Sequence, residues 1–139
     1  MSRKTARMAA VQMCFADLFG GESDEETLRD LVEFQGDEGD DSFILDTVQG
    51  VRRESENLDE TISLHLKNWT MERISRVSHA ALRVAVYEMS HGRDVPAGVV
   101  IKEAVQITQR LDEESEGRFV NGVLSGILRD MEPEAEAEQ

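Results

Sequence analysis

The chain has little proline, cysteine or aromatic content. Its 139 residues include two prolines, one cysteine, one tryptophan and one tyrosine. The chain before Pro96 and the stretch from Pro96 to Pro133 are rich in Ala, Glu, Leu, Arg and Met. This composition favours helices and argues against an all-β protein. The length and the 40% hydrophobic content suit one domain with a buried core. We therefore predict an all-α fold, a compact bundle of about seven helices.

Long hydrophobic runs are also missing. The unbroken apolar runs, such as residues 84–87, are far shorter than a membrane-spanning helix. The basic start MSRKTARMAA is followed by no apolar segment of the kind that signal peptides carry. Cys14 is alone and cannot close an internal disulfide, which fits a reducing compartment. We expect a cytoplasmic protein without a membrane partner.

Motifs for catalysis or cofactor binding are absent as well. No glycine-rich phosphate loop is present, and the three histidines fall on different predicted helices without a second cysteine. The carboxylates lie in acidic runs, so no general acid and base can be chosen among them. The sequence favours a binding protein over an enzyme and predicts neither a metal nor a cofactor.

Charge is abundant but unevenly distributed. The formal net charge is −14, yet residues 22–41 hold ten acids and one base, and residues 132–139 hold four acids and no base. The remainder is nearly neutral, with 15 acids and 14 bases. The first acid is Asp17, so the three cations Arg3, Lys4 and Arg7 precede any negative charge. A local anion-binding site is therefore compatible with an acidic protein.

Apolar spacing predicts the helices and their ends. We expect seven helices, at residues 3–19, from 23 or 24 to before 36, about 42–53, about 58–66, 71–90, and two beginning near 96 and 115. Trp69 follows the fourth helix and is expected to close the junction to the fifth. Residues 132–139 are expected to form a disordered acidic tail, because they combine proline with glutamate and alanine.

Two places combine cations with an aromatic ring. Arg3, Lys4 and Arg7 lie along one edge of the first helix, which continues to Phe15. RNA binding needs cations for phosphates and flat rings for unstacked bases. Phe15 also falls on the apolar stripe, and the cations could be a solvated terminus, so both interpretations stay open.

Arg118 and Phe119 form the second place, at the start of the last helix. The exposed N–H groups and the positive dipole end of a helix favour an anion there. The alternative is equally good on these grounds: Phe119 anchors the helix, and Arg118 pairs with Glu114 or Glu116.

Several segments together resemble the NusB family of transcription antitermination factors. They are, in chain order, AVQMCF (10–15), FI (43–44), VQGV (48–51), NW (68–69), ALRVAVYEM (81–89), DVP (94–96), VIKEAV (100–105) and RFVNGVL (118–124). The resemblance extends over residues 3–128. It implies an all-α domain at residues 1–131, with helical subdomains at about 1–54 and 55–131.

The resemblance also implies a function. It implies a non-catalytic protein that binds boxA RNA together with NusE, a ribosomal small-subunit protein, joins the RNA polymerase antitermination complex and promotes processive transcription of ribosomal RNA operons. By matching position, the implied RNA-binding residues are Arg3, Lys4, Arg7, Phe15, Arg83, Arg118 and Phe119. The sequence departs from the family pattern at Lys102, at residues 111–112 and at Ser115, the last in a region that the resemblance associates with NusE.

Two functional hypotheses follow. With few N-terminal arginines and an acidic second helix, we expect weak binding of RNA alone and a substantial contribution from NusE. The other hypothesis is a protein-interaction module with an acidic surface and no direct RNA contact.

Overall fold

The described part of the chain consists of helices and the segments that connect them. A computed structural model describes residues 3–35, 41–67, 69–92 and 95–132. Within these ranges there is no strand, and the helices are α1 (Arg3–Gly20), α2 (Glu25–Gln35), α3 (Asp41–Ser63), α4 (Arg76–His91), α5 (Ala97–Leu111) and α6 (Glu114–Met131). The all-α prediction is confirmed. The expected tail at 133–139 lies outside the described residues.

The number of helices is six in these ranges instead of about seven, because the expected third and fourth helices are one. Glycine is a poor helix former, so Gly50 on its own would weaken a helix at this position. It is buried inside α3, and a Cβ at this position would overlap the ring of Tyr87. Close packing of α4 against Gly50 therefore offsets its low propensity. Helix α3 continues through residue 54, where a subdomain boundary is expected.

Helix α4 lies at the centre of the bundle and packs against α1, α3, α5 and α6. Its buried residues cover more than one face, and Ala81, Leu82, Ala85 and Val86 are almost fully buried. A helix with apolar residues around most of its circumference is typical of such a central position. Helix α2 packs against α3 and exposes its acids.

The start of α4 differs from the expected position at residue 71. Ser75 is the N-cap, and its Oγ accepts a hydrogen bond from the Ser78 backbone N–H at 3.0 Å. Serine at this position satisfies one of the free N–H groups of the first helical turn. Residues 71–74 form turns before it. Apolar residues continue at helical spacing before Ser75, so the sequence pattern predicted a helix where the structure has a loop.

Trp69 lies in the same connection and does not close a junction. It is 52% exposed, so the expectation of a buried plug was wrong. Among the described residues, no helix is long and apolar enough to cross a membrane.

Candidate nucleic-acid interface

The first two cations of α1 are at the surface. Both Arg3 and Lys4 are exposed. Lys4 Nζ donates to Oε1 of Gln106 on α5 at 2.9 Å, and the Arg3 guanidinium lies 4.1 Å from the centre of the Phe43 ring on α3. The start of α1 therefore presents two cations above neighbouring helices.

Arg7 has a different environment. It is 6% exposed and forms a salt bridge with Glu88 of α4, which is 9% exposed. Its Nε donates to both carboxylate oxygens at 3.0 Å, and its Nη2 donates to Oε1 at 2.6 Å. A guanidinium engaged by a buried carboxylate is not presented to a phosphate. The expectation that Arg7 meets RNA directly does not fit this position.

Arg83 is likewise held by a carboxylate. Its Nε and Nη2 donate to the two oxygens of Asp59 at 2.8 and 2.6 Å, and His79 lies 2.8 Å from the same carboxyl group. Burial alone would raise the pKa of Asp59, but the hydrogen bonds from Arg83 and His79 outweigh it and lower this pKa to about 2. Asp59 is therefore ionised at neutral pH. Arg83 joins α4 to α3 and is only partly exposed.

Phe15 lies between the core and the surface. It is half-buried and packs edge-on against Phe19, with ring centres 4.8 Å apart. It also lines a cavity of about 310 Å³ with residues of α1, α4 and α5, namely Val11, Gln12, Val77 and Leu111. Phe15 is therefore partly packed like a core residue and partly accessible at the cavity, so both the core and the RNA-binding interpretations remain compatible with its position.

Arg118 does not make the ion pair that was considered for it. Within the described part of the chain it is exposed and has no ion pair, while Glu116 accepts a hydrogen bond from Ser78 Oγ at 2.8 Å. Phe119 is half-buried and lines a second cavity of about 310 Å³. A free cation and a partly accessible ring are therefore adjacent at the start of α6.

Three aromatic or cationic residues near this region were not among the predicted site residues. Phe19 is 59% exposed, and the Arg76 guanidinium lies 4.7 Å from its ring centre. Trp69 lines the Phe119 cavity. Only Trp69 had a signal in the sequence, because it is an aromatic residue between two predicted helices. Phe19 and Arg76 lie inside predicted helices, and apolar spacing did not show that they are exposed.

The two cavities border the same short segment. The Phe119 cavity includes Ile74 and the Phe15 cavity includes Val77, three residues further on at the start of α4. Arg3 and Lys4 line neither of these two cavities: Lys4 contacts α5, and Arg3 contacts α3. In the described ranges no group of three or more His, Cys, Asp or Glu side chains is placed to hold a metal ion.

The described helices, with accessible rings beside exposed cations, define a helical binding protein, and comparison with known proteins identifies its family. A sequence profile of the NusB family matches residues 4–129. The transcription antitermination protein NusB of Bacillus subtilis is 39% identical over 136 residues, which cover 95% of this chain and 98% of that protein. The chain belongs to the NusB family, as the sequence motifs suggested.

Solved structures agree with this assignment. The structure of T. maritima NusB has a TM-score of 0.87 and 29% identity, covering all of this chain and 99% of that one. A crystal structure of the antitermination factors NusB and NusE in complex with dsRNA has a TM-score of 0.82 and 28% identity, with coverages of 92% and 96%.

Proposed function

We propose that this protein is a non-catalytic antitermination factor that binds boxA RNA together with NusE. In this role it joins the RNA polymerase antitermination complex and promotes processive transcription of ribosomal RNA operons. The observation that carries the proposal is Arg118, an exposed arginine with no ion pair in the described part of the chain, beside the half-buried ring of Phe119. The fold is shared with a relative that was crystallised with NusE and dsRNA.

The direct contacts are the side chains that remain accessible. Arg3, Lys4 and Arg118 supply positive charge for phosphates, and Phe15 and Phe119 supply ring surface for unstacked bases. Arg7 and Arg83 hold α4 against α1 and α3 through their carboxylate partners. They position the interface without contacting the RNA.

Electrostatics make this binding weak without a partner. The protein carries a net charge of −14, and α6 begins with exposed acids beside Arg118. Three phosphate contacts supply only a modest favourable term against this background. NusE therefore contributes a substantial part of the affinity for RNA.

A binding titration tests the proposal. Labelled boxA RNA and a scrambled RNA of equal length are titrated with the protein at several salt concentrations, with and without NusE. With about three phosphate contacts to a single strand, log affinity should fall against log salt with a slope of about −2. Equal affinity for both RNAs in both settings, or a flat salt dependence, would contradict it.

Helix α6 offers a matched pair of variants. R118A and R129A remove the same charge from exposed positions at opposite ends of one helix, about 16 Å apart along its axis. R118A should make the salt slope shallower by about 0.7, and R129A should leave it unchanged. If R118A and R129A change the salt slope equally, the overall charge of the protein determines RNA affinity, and Arg118 makes no local phosphate contact.

The second candidate function is a protein-interaction module with no direct RNA contact. The exposed acids of α2 favour it, with the exposed apolar side chain of Leu31 among them. Under this alternative, K4A and R118A change neither RNA nor protein binding. Under the proposed function, both variants lose RNA affinity and still bind NusE.

A further inference from the structure

We propose that the cavity between the loop before α4 and the start of α6 is a pocket for a single unpaired nucleobase, with Trp69 as its principal aromatic wall. This inference rests on the proposed function and specifies where and how the RNA is read. The cavity has a volume of about 310 Å³, at the lower end of the range of small-ligand sites. Its lining residues come from both segments: Trp69, Arg73, Ile74, Ser115, Glu116 and Phe119.

The aromatic wall is the first argument. Trp69 leaves 52% of its surface exposed while it lines this cavity. Phe119, from the other segment, lines the same cavity and is half-buried. Two accessible rings at one concave site offer the stacking surface that single-stranded nucleic acid uses. Helix packing alone does not account for the exposure of Trp69.

The polar groups are the second argument, and they point to a nucleotide. Arg73 is exposed and, among the described residues, has no ion pair, and the same holds for Arg118 next to Phe119. Two unpaired guanidinium groups beside aromatic rings suit a base with its phosphates. A peptide partner would offer no comparable density of negative charge.

Glu116 sets the choice of base. Ser78 is fully buried, and its hydroxyl donates to Glu116 Oε2 at 2.8 Å, which fixes the carboxylate at the cavity wall. A carboxylate only accepts hydrogen bonds. It therefore favours bases with an exocyclic amino group, namely adenine, cytosine and guanine. Uracil is disfavoured because its single N–H lies between two carbonyl groups that a carboxylate repels.

The chain supplies its own reporter for this pocket. Trp69 is the only tryptophan, so intrinsic tryptophan fluorescence of the protein reports on this site alone. We expect boxA RNA to quench it, with the same midpoint as the anisotropy of labelled RNA. In the complex with NusE, an identical titration with the W69F protein is subtracted as the blank.

Variants separate stacking from folding. W69L should weaken RNA binding by about 5- to 150-fold, the range for loss of one stacked base. W69F keeps a ring and should stay within about threefold of the unmutated protein. L64A, at a side chain that is 78% exposed and outside the cavity, is the control. Circular dichroism checks that each variant is folded.

Base preference tests Glu116. In RNAs that differ at one unpaired position, the unmutated protein should discriminate against uracil. E116Q should narrow this discrimination, because a carboxamide both donates and accepts hydrogen bonds. Discrimination that is unchanged in E116Q would overturn the assignment of Glu116.

The outcomes distinguish this inference from the proposed function. If labelled RNA binds while the fluorescence does not change and W69L binds normally, the pocket is wrong and the RNA-binding function stands. If W69L weakens NusE binding and leaves RNA binding unchanged, the cavity is a protein contact and the inference is overturned. If no RNA binds with or without NusE, the proposed function itself fails.

Discussion

The buried Arg7–Glu88 pair gives the sharpest test of how this structure divides its arginines between folding and binding. The pair joins α1 to α4 through three hydrogen bonds of 2.6 to 3.0 Å, with both side chains less than a tenth exposed. R7M removes the cation and leaves the Glu88 carboxylate buried without its partner. Breaking a buried pair in this way should lower the free energy of unfolding by about 3–5 kcal/mol.

The double variant R7M/E88L should recover most of that loss. The side chains around the pair are largely apolar, including Val11, Val84 and Ile107, so two hydrophobic replacements enter a compatible environment. Replacing a whole buried pair by apolar residues of similar volume is often close to neutral. We expect the double variant within about 2 kcal/mol of the unmutated protein, in urea denaturation followed by circular dichroism.

The same double variant decides whether Arg7 touches RNA. If Arg7 is a positioning residue, R7M/E88L binds boxA RNA and NusE with unchanged affinity and an unchanged salt slope. A stable double variant with reduced RNA affinity and a slope shallower by about 0.7 would refute this reasoning and make Arg7 a phosphate contact. If R7M is as stable as the unmutated protein, the predicted energetic cost of breaking the buried Arg7–Glu88 pair is wrong.

Three further predictions follow from local geometry. G50A should destabilise the protein by about 1–3 kcal/mol in urea denaturation, because its Cβ would overlap Tyr87, whereas G98A, in open space on α5, should be neutral or stabilising. The pKa of Asp59 is lowered to about 2 in the folded state. Ionised Asp59 should therefore add about 1–2 kcal/mol to the free energy of unfolding above about pH 4, and this stability should be lost as the pH falls towards 2. In acid-unfolding measurements, D59N should not show this loss. E114Q should lower stability by about 0.3–1 kcal/mol, because it removes an acid from the first turn of α6, and should raise RNA affinity; a fall in both quantities would contradict it.

The helical class and most helix positions could be predicted from apolar spacing alone. The errors lie where tertiary contacts or a cap override that spacing. Nothing in the sequence shows that Tyr87 packs on Gly50 and lets α3 run unbroken. The start of α4 depends on the hydroxyl of Ser75, while apolar residues upstream continue the helical period as if no boundary existed.

The candidate site was less accessible to sequence reasoning, because an arginine's role depends on its partner. Arg7 meets a carboxylate 81 residues away, and Arg83 meets one 24 residues away. Spacing along one helix identifies the cations but not these pairings. Trp69 was misjudged for a related reason: a lone tryptophan after a helix resembles a buried plug unless the adjoining loop is known.

Under the proposed function, the buried ion pairs of Arg7 and Arg83 also limit how many cations can contact the RNA. Among the predicted RNA-binding cations, Arg3, Lys4 and Arg118 are exposed. Three phosphate contacts give a slope near −2, which means that a rise from 50 to 200 mM salt lowers affinity about 16-fold. Proteins with 6–10 phosphate contacts lose about 10³- to 10⁵-fold over the same interval. Under the proposed function, the remaining affinity comes from contacts that salt does not screen, and the proposed ones are the rings of Phe15, Phe119 and Trp69 and the surface of NusE. A measured slope steeper than about −4 would mean that phosphate contacts dominate after all, and that exposed arginines outside the proposed site, such as Arg76, belong to the interface.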